Sequence, residues 1–512
     1  MRNATQSTAP SPVGHRDQPP LTQPCTHGHF AEDGMSFVIT DPATPRAFDN
    51  FLWNDAIMSN VHQTGVGTCD VQVDDREAIQ LFTGVGRICD IDVYGRDHLM
   101  SRLVYVRDND TGEFWNVGWE PVCRAYDAYA CEHGLGYSRI TSETCGIRTT
   151  LLLTVPAGNA PVEQWKLDIA NPASRPRNLS VFVYNQYALS YMWGFESYGD
   201  MLYRGAWYDP ACNAVIVQKH PYVAPHDYLT AFLAANRAPD GYDGSRRFFV
   251  GNYATLAAPR AVVEGTCTNT PGSCEATIAA LQFNLHLAPA AAETVEMVNG
   301  LATDPEQVAA LADRHLGSAE KTLAAIRNDK RELAARNNVR TPDVHFDRMV
   351  NGWLKQQCLF GATWCRWGYM GYRDIVQHAF GVSSFAPGRT REILLEALSR
   401  MSAEGTAPRG WNPLDTKPYS DSTVWLVYAL TAYLKETGDF DLLNLRIPYT
   451  DEKDGTVLDH IMAALAFFHN NRGRHGLCLI KFGDWNDSLT NIGREGRGES
   501  VWLSMAYTRA LE

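Results

Sequence analysis

No stretch of this chain is apolar for long enough to cross a bilayer: nothing approaches the roughly 20 consecutive apolar residues that a spanning helix needs. Cationic charge is short as well. Lys and Arg number 45 against 58 Asp and Glu, a formal net charge of -13. With no basic patch, nucleic acid is not an expected partner. Cysteine is sparse, twelve in 512 residues, which is too dilute for a disulfide scaffold. Cys123 and Cys131, or Cys267 and Cys274, are near enough in sequence to pair, but their spacings match no zinc site. Mostly buried, reduced thiols and no metal are expected. The first 25 residues lack the apolar core of a secretory leader and carry Pro, Ser, Thr, Gln and His instead. They read as a disordered lead-in over residues 1–32. No membrane association and a cytoplasmic location are the resulting expectations.

Aromatic residues are plentiful, with 13 Trp, 22 Tyr and 20 Phe, enough for large cores and for the flat surfaces on which sugars stack. At this length two or more domains are expected. From residue 33 to 302 the apolar period is close to two, broken by polar turns such as Asp108-Asn109-Asp110-Thr111-Gly112. That pattern argues a large antiparallel β-sandwich. The period then lengthens. Pro305-Glu306 opens a short helix, and Ala319 to Ala335 sets Leu323, Ile326 and Leu333 on one face of a second, so residues 303–340 read as a helical linker. Over 341–512 apolar helices alternate with long polar loops, as in an α/α toroid. Phe346, Val350, Trp353 and Leu354 form one expected face, and Gly438 is placed to stop a helix over Thr423 to Glu436. About six helices can be read here, half of a twelve-helix barrel. The expectation is a truncated chain or part of a longer protein.

Three loop clusters in this half carry the chemistry. The first is Gly371-Tyr372-Arg373-Asp374, the second is Arg409-Gly410-Trp411 with Tyr419-Ser420-Asp421, and the third is Gly483-Asp484-Trp485-Asn486-Asp487 followed by Gly493 to Trp502. If each begins a helix of one toroid, their polar groups converge at one end. Sugar transfer with inversion needs a protonated carboxyl for the leaving oxygen and a nucleophile on the opposite face. Asp487 suits the acid, since the neighbouring indole of Trp485 and an occluded site would favour its protonated form. Asp484 reads as a supporting residue that caps a helix or binds Arg373 or Arg497, with Asn486 beside it. Arg373 and Asp374 are as readily a local ion pair, and Asp421 is as readily a helix N-cap as a sugar ligand. His378 reads as a core residue, and His133 as a loop residue of the sandwich.

These motifs together resemble the inverting glycoside phosphorylase family of the cellobiose and chitobiose phosphorylases. That family also holds cellobionic acid phosphorylase and the phosphorylase-like part of cyclic β-1,2-glucan synthase. The residues that carry the resemblance are Asp484-Trp485-Asn486-Asp487, Gly493 to Trp502, Gly371 to Asp374 and Tyr419 to Asp421, with Phe37 to Pro42 and His133 to Tyr137 in the sandwich. The resemblance implies a β-sandwich, a helical linker and an (α/α)6 barrel. It implies phosphorolysis of a β-linked glucoside by inorganic phosphate, as co-substrate and with no cofactor, to an α-sugar 1-phosphate and a free acceptor. Asp487 would be the general acid. Trp485, Asp374 and Arg373 would hold the donor sugar, with Arg366, Asp421 and Glu499 as further substrate contacts and Asp484, Asn486 and Arg497 in support. A homodimer is also implied. The chain departs from the family where many members carry an arginine six residues before the aspartate matched by Asp374. Here that place is Gly368, with Arg366 two residues earlier. Two other readings remain: an inverting hydrolase of the same fold with Glu499 as a candidate base, and an inactive, truncated carbohydrate-binding protein.

Overall fold

The period-two half folds as two antiparallel sheets packed face to face. The computed structural model describes residues 25–73, 78–82, 100–191, 203–220, 229–365, 369–412, 414–417, 419–451 and 453–512. One sheet has eleven strands and the other nine among the described residues, and the ladders within them are antiparallel. The longest strand, Arg177–Tyr191, pairs with Thr277–Leu287 on one side and with Leu103–Asp108 and Ile79–Phe82 on the other. Local chemistry sets register at the hairpin of Tyr137–Thr144 and Ile147–Thr154. Its two-residue turn is Cys145-Gly146, both left-handed at φ 52° and 71°, the twist that suits a tight hairpin. Between the sheets lies a continuous apolar core with Trp115 and Trp165 wholly inside it.

Two expectations need correction here. The lead-in over 1–32 is too long, because Gly28–Phe30 is an edge strand zipped onto Ser36–Ile39; residues 1–24 lie outside the described ones. His133 is not in a loop. It sits buried in strand Ala128–Gly134, with Nδ1 2.9 Å from the Ser138 hydroxyl and Nε2 3.0 Å from the Phe48 carbonyl. Burial pushes its pKa down to about 4. Cys131, Cys267 and Cys478 are buried thiols.

Helix α1 (Pro305–His315) starts at Asp304, whose carboxylate accepts the Gln307 amide, with Pro305 in the first turn. It lays Val308 and Ala312 on the outer face of one sheet, against Phe232 and Val298. Helix α2 (Ala319–Ala335) packs Leu323 on Tyr137 and Leu152, while Leu333 at its far end enters the core of the helical half. The two helices thus connect both halves.

After them the chain forms Val344–Arg348, a π-helical turn Met349–Leu354, and α3 (Lys355–Trp364) without a break. The π turn inserts an extra residue into the helical repeat and rotates α3 about its axis. The expected apolar face is therefore split: Phe346 and Leu354 are exposed, while Trp353 donates its indole N–H to the Gly34 carbonyl of the sandwich. Helix α3 runs to Trp364. Phe360 stacks on Phe51 at 4.7 Å, and the Trp364 indole donates to the Asn54 carbonyl.

Five more helices complete the described chain: α4 (Tyr372–Val382), α5 (Pro387–Ser399), α6 (Ser422–Thr437), α7 (Val457–Asn470) and α8 (Val501–Leu511). Gly438 ends α6 at φ 69°, in the left-handed turn that favours glycine. A reciprocal Thr456–Asp459 capping box starts α7. The architecture is a β-sandwich followed by a mostly helical domain consistent with part of an (α/α) barrel. Among the described residues no helix is long and apolar enough to cross a membrane.

Candidate active site

Arg373 is where the three loop clusters meet. Its place is set by the residue before it. Tyr372, wholly buried, donates to the Ala397 carbonyl and meets Trp411 edge-on, which fixes the first turn of α4. The strand Met370–Gly371 pairs with Gly410–Asn412 and brings the second cluster alongside. The Arg373 guanidinium donates from Nη1 to Asp421 Oδ2 at 3.3 Å and to the Asp484 carbonyl at 2.8 Å. From Nη2 it donates to Asp487 Oδ1 at 2.6 Å. It also stands 5.7 Å over the Tyr419 ring. Its side chain is 12% exposed. Burial works against its charge, but Asp421, Asp487 and Asp374 outweigh that and hold its pKa above the usual arginine value.

Asp421 precedes α6 but makes no side-chain cap. Its carboxylate is completely buried, and Oδ2 accepts from both Arg373 and the Trp425 indole N–H at 3.2 Å. Oδ1 has no hydrogen-bond partner among the described residues. Burial raises this carboxyl above the usual range, with Arg373 and Trp425 pulling the other way.

The Asp484-Trp485-Asn486-Asp487 loop is pinned from below. Ser420 donates its amide to the Gly483 carbonyl and its hydroxyl to the Ile480 carbonyl. The buried Asp484 carboxylate accepts from the Ser500 hydroxyl at 2.5 Å and from the Asn486 amide at 3.0 Å. Ser500 in turn caps α8 by accepting the Leu503 amide. This corrects the expected pairing of Asp484: Arg373 takes its backbone carbonyl, and Arg497 pairs with Glu495 on the surface. Asn486 accepts the Ser488 amide and starts the short turn that carries Asp487.

The occluded setting expected for Asp487 is not found. Its side chain is 49% exposed, and the Trp485 indole stacks on Trp502 at 6.0 Å and 22°, remaining 53% exposed itself. Asp374 folds back over Gly371, leaving no room there for a side chain. His378 packs its ring on Gly361 of α3. Glu499 lies in another neighbourhood: Oε1 accepts the His475 amide and stands 3.2 Å from His475 Nδ1. Partial burial lifts the Glu499 pKa, but the His475 amide and ring outweigh it and hold the group below the usual range. Arg366 lies outside the described residues.

Sequence reasoning missed Trp425 and His475, and took Ser500 only as part of the Gly493 to Trp502 run, without its bond to Asp484. Of these only Trp425, four residues after Asp421, carried a signal: helical spacing puts it on the same face. The cluster offers, chemically, a guanidinium aiming one half-exposed carboxylate, beside an indole open to solvent. Among the described residues no three His, Cys, Asp or Glu side chains gather as a metal site.

Comparison with known proteins agrees with this assembly. Residues 35–318 match the glycosyl hydrolase 94 supersandwich domain, and residues 330–512 match the catalytic domain of the glycosyl hydrolase 94 superfamily. A solabiose phosphorylase from Paenibacillus borealis is 36% identical over 94% of this chain and 62% of its own length. An N,N'-diacetylchitobiose phosphorylase from Vibrio furnissii is 28% identical over 95% of this chain and 64% of its own. A 3-O-beta-D-glucopyranosyl-beta-D-glucuronide phosphorylase from Paenibacillus borealis is 27% identical over 95% and 62%. The chain thus spans less than two thirds of the length of these relatives. It belongs to the glycosyl hydrolase 94 superfamily.

Proposed function

We propose that this member of the glycosyl hydrolase 94 superfamily carries the donor-sugar and proton-donor side of an inverting phosphorylase. Inorganic phosphate attacks the anomeric carbon of a β-linked glucoside and forms the new C–O bond to phosphorus-bound oxygen. The glycosidic C–O bond breaks as Asp487 gives its proton to the leaving oxygen, and the products are an α-sugar 1-phosphate and the free acceptor sugar. The observation that carries this reading is the Arg373 guanidinium on Asp487 Oδ1 at 2.6 Å, next to the half-exposed Trp485 indole. A sugar stacked on that indole would bring its anomeric oxygen to the carboxyl and cover it from water. Trp485, Asp374 and Arg373 are assigned to the donor sugar. Arg366 is retained with them on resemblance alone. Asp484 and Asn486 shape the loop.

The three relatives are phosphorylases by name, which supports phosphorolysis, and a homodimer is proposed on the family resemblance. Glu499 does not favour the hydrolase reading, because its carboxylate is engaged by His475 and by no member of the Arg373 cluster. The test is a screen of cellobiose, cellobionic acid, sophorose and laminaribiose with and without inorganic phosphate. Release of sugar 1-phosphate only when phosphate is present is the expected result. Free reducing sugar released equally well without phosphate would overturn the reading.

A further inference from the structure

Three indoles connect the Asp487 loop to the interior. Trp485 stacks on Trp502, in the first turn of α8, at 6.0 Å and 22°. Trp502 lies against Trp425 of α6 at 5.9 Å and 34°. Trp425 donates its N–H to Asp421 Oδ2, the oxygen that also receives Arg373. Arg373 returns to Asp487, two residues from Trp485. The contacts therefore close a circuit: Asp487, Arg373, Asp421, Trp425, Trp502, Trp485. A second strut runs beside it, since Ser500, two residues before Trp502, bonds the Asp484 carboxylate.

Each link has a physical reason to matter. A half-exposed indole on a loop rich in glycine would otherwise sample many orientations, and a stacked ring beneath it removes that freedom. A guanidinium on a flexible stem is likewise fixed by the carboxylate behind it. Because Trp425 touches both Asp421 and Trp502, the sugar platform and the acid take their positions from the same indole. We propose that Trp425 and Trp502 are positioning residues that lock the Trp485 platform to the Arg373–Asp487 pair through the buried Asp421 carboxylate. The kinetic part of this inference rests on the phosphorylase reading above; the mechanical coupling does not. A misplacement of about 1 Å between sugar and acid can cost roughly a hundredfold in rate, so a device that fixes both from one point has a use.

The test separates the two ends of the circuit. Trp502→Ala removes the support of the platform and should raise KM for the glucoside roughly tenfold with kcat little changed, while Trp502→Phe recovers most of the loss. Trp425→Phe keeps a ring but deletes the N–H to Asp421, and should lower kcat roughly tenfold with KM close to the parent. A second arm needs no turnover. The fluorescence due to Trp485, taken as the difference between each protein and its Trp485→Phe counterpart, is quenched with acrylamide. Quenching should rise about twofold in Trp502→Ala and measurably in Trp425→Phe, two rings away. Unchanged quenching of Trp485 in Trp425→Phe would overturn the coupling. So would kinetic losses that carry no KM-against-kcat split and simply follow a lowered melting temperature. If the parent shows no phosphorolysis, the functional reading falls while the quenching arm still decides this one.

Discussion

Arg102 and Arg373 pose the same electrostatic problem in the two halves of the chain and meet different surroundings. Arg102 lies in the sandwich with Glu163, both side chains at 0% exposure, and its guanidinium also donates to the Ser59 hydroxyl and to the Asn60 and Gly65 carbonyls. Arg373 holds Asp421 on its buried side and Asp487 on its open side, where the carboxylate is 49% exposed. A closed pair cannot change partners without opening the sheets. An open one can trade a bond for a ligand at little cost to the fold. The exchangeable contact therefore lies in the helical half, while the sandwich packs against α3 and the linker helices.

Neutralising one carboxylate in each place is the sharpest way to break that comparison. Asp487→Asn should lower phosphorolysis by roughly 10²- to 10⁴-fold, as loss of a general acid does, with the urea midpoint close to the parent. Glu163→Gln takes from Arg102 the buried carboxylate it pairs with, and breaking a buried ion pair from one side should cost about 3–5 kcal/mol in urea unfolding. Equal stability losses in the two variants would remove the distinction. Two tryptophans extend it to apolar burial. Trp165→Ala empties a wholly buried site and should cost about 3–5 kcal/mol, whereas Trp485→Ala, at a half-exposed site, should stay within about 1 kcal/mol. Both are read from the same denaturant titrations.

The pH response of the sandwich has a calculable sign. Buried His133 stays neutral down to about 4 in the folded chain, whereas its ordinary value is 6.5. The unfolded chain thus takes up a proton first as the pH falls. The stability that neutral His133 contributes is complete above 6.5 and is lost between 6.5 and 4, about 3 kcal/mol in all. A His133→Gln variant should show a shallower decline across that window in urea midpoints measured at several pH values. A parallel decline in both proteins would assign the loss elsewhere.

Residues with local signals were readable from the sequence. Ala319 to Ala335 matches α2 end to end, and Gly438 stops α6 where expected, because propensity and capping act within a turn or two. The sandwich was readable from its period. The features that escaped arise from contacts distant in sequence. Asp421 is 48 residues from Arg373, and Asp487 is 114; no spacing rule connects them, so Arg373 was read beside its neighbour Asp374 or as a partner of Asp484. The Trp485 indole was expected to shelter Asp487, but its choice of Trp502 depends on where α8 docks. The π turn at Met349–Leu354 left no mark in the apolar pattern either, since an inserted residue looks like a shifted repeat. The family motifs identified the loops that meet, without showing how their side chains divide the contacts.

The smallest expected change in stability comes at the joint between the closed and the open behaviour. Asp421 is as buried as Glu163, yet it serves the solvent-facing pair. Burial raises its carboxyl above the ordinary 3.8, with Arg373 and Trp425 opposing. A raised acid is favoured by folding in its protonated form, so its contribution is present below 3.8 and is lost as the pH rises through the folded value. Asn at this place removes the buried charge and keeps an oxygen for Arg373 or Trp425. The gain from discharging a buried group and the loss of a partner for Arg373 act in opposite directions, and Arg373 keeps Asp487 and the Asp484 carbonyl. The net change at neutral pH should be within about 1 kcal/mol, and the parent should lose stability relative to Asp421→Asn as the pH is raised above 3.8. A loss of the size expected for Glu163→Gln, with no such pH dependence, would show that Asp421 is held as tightly as the sandwich pair and that the helical site is closed at its base.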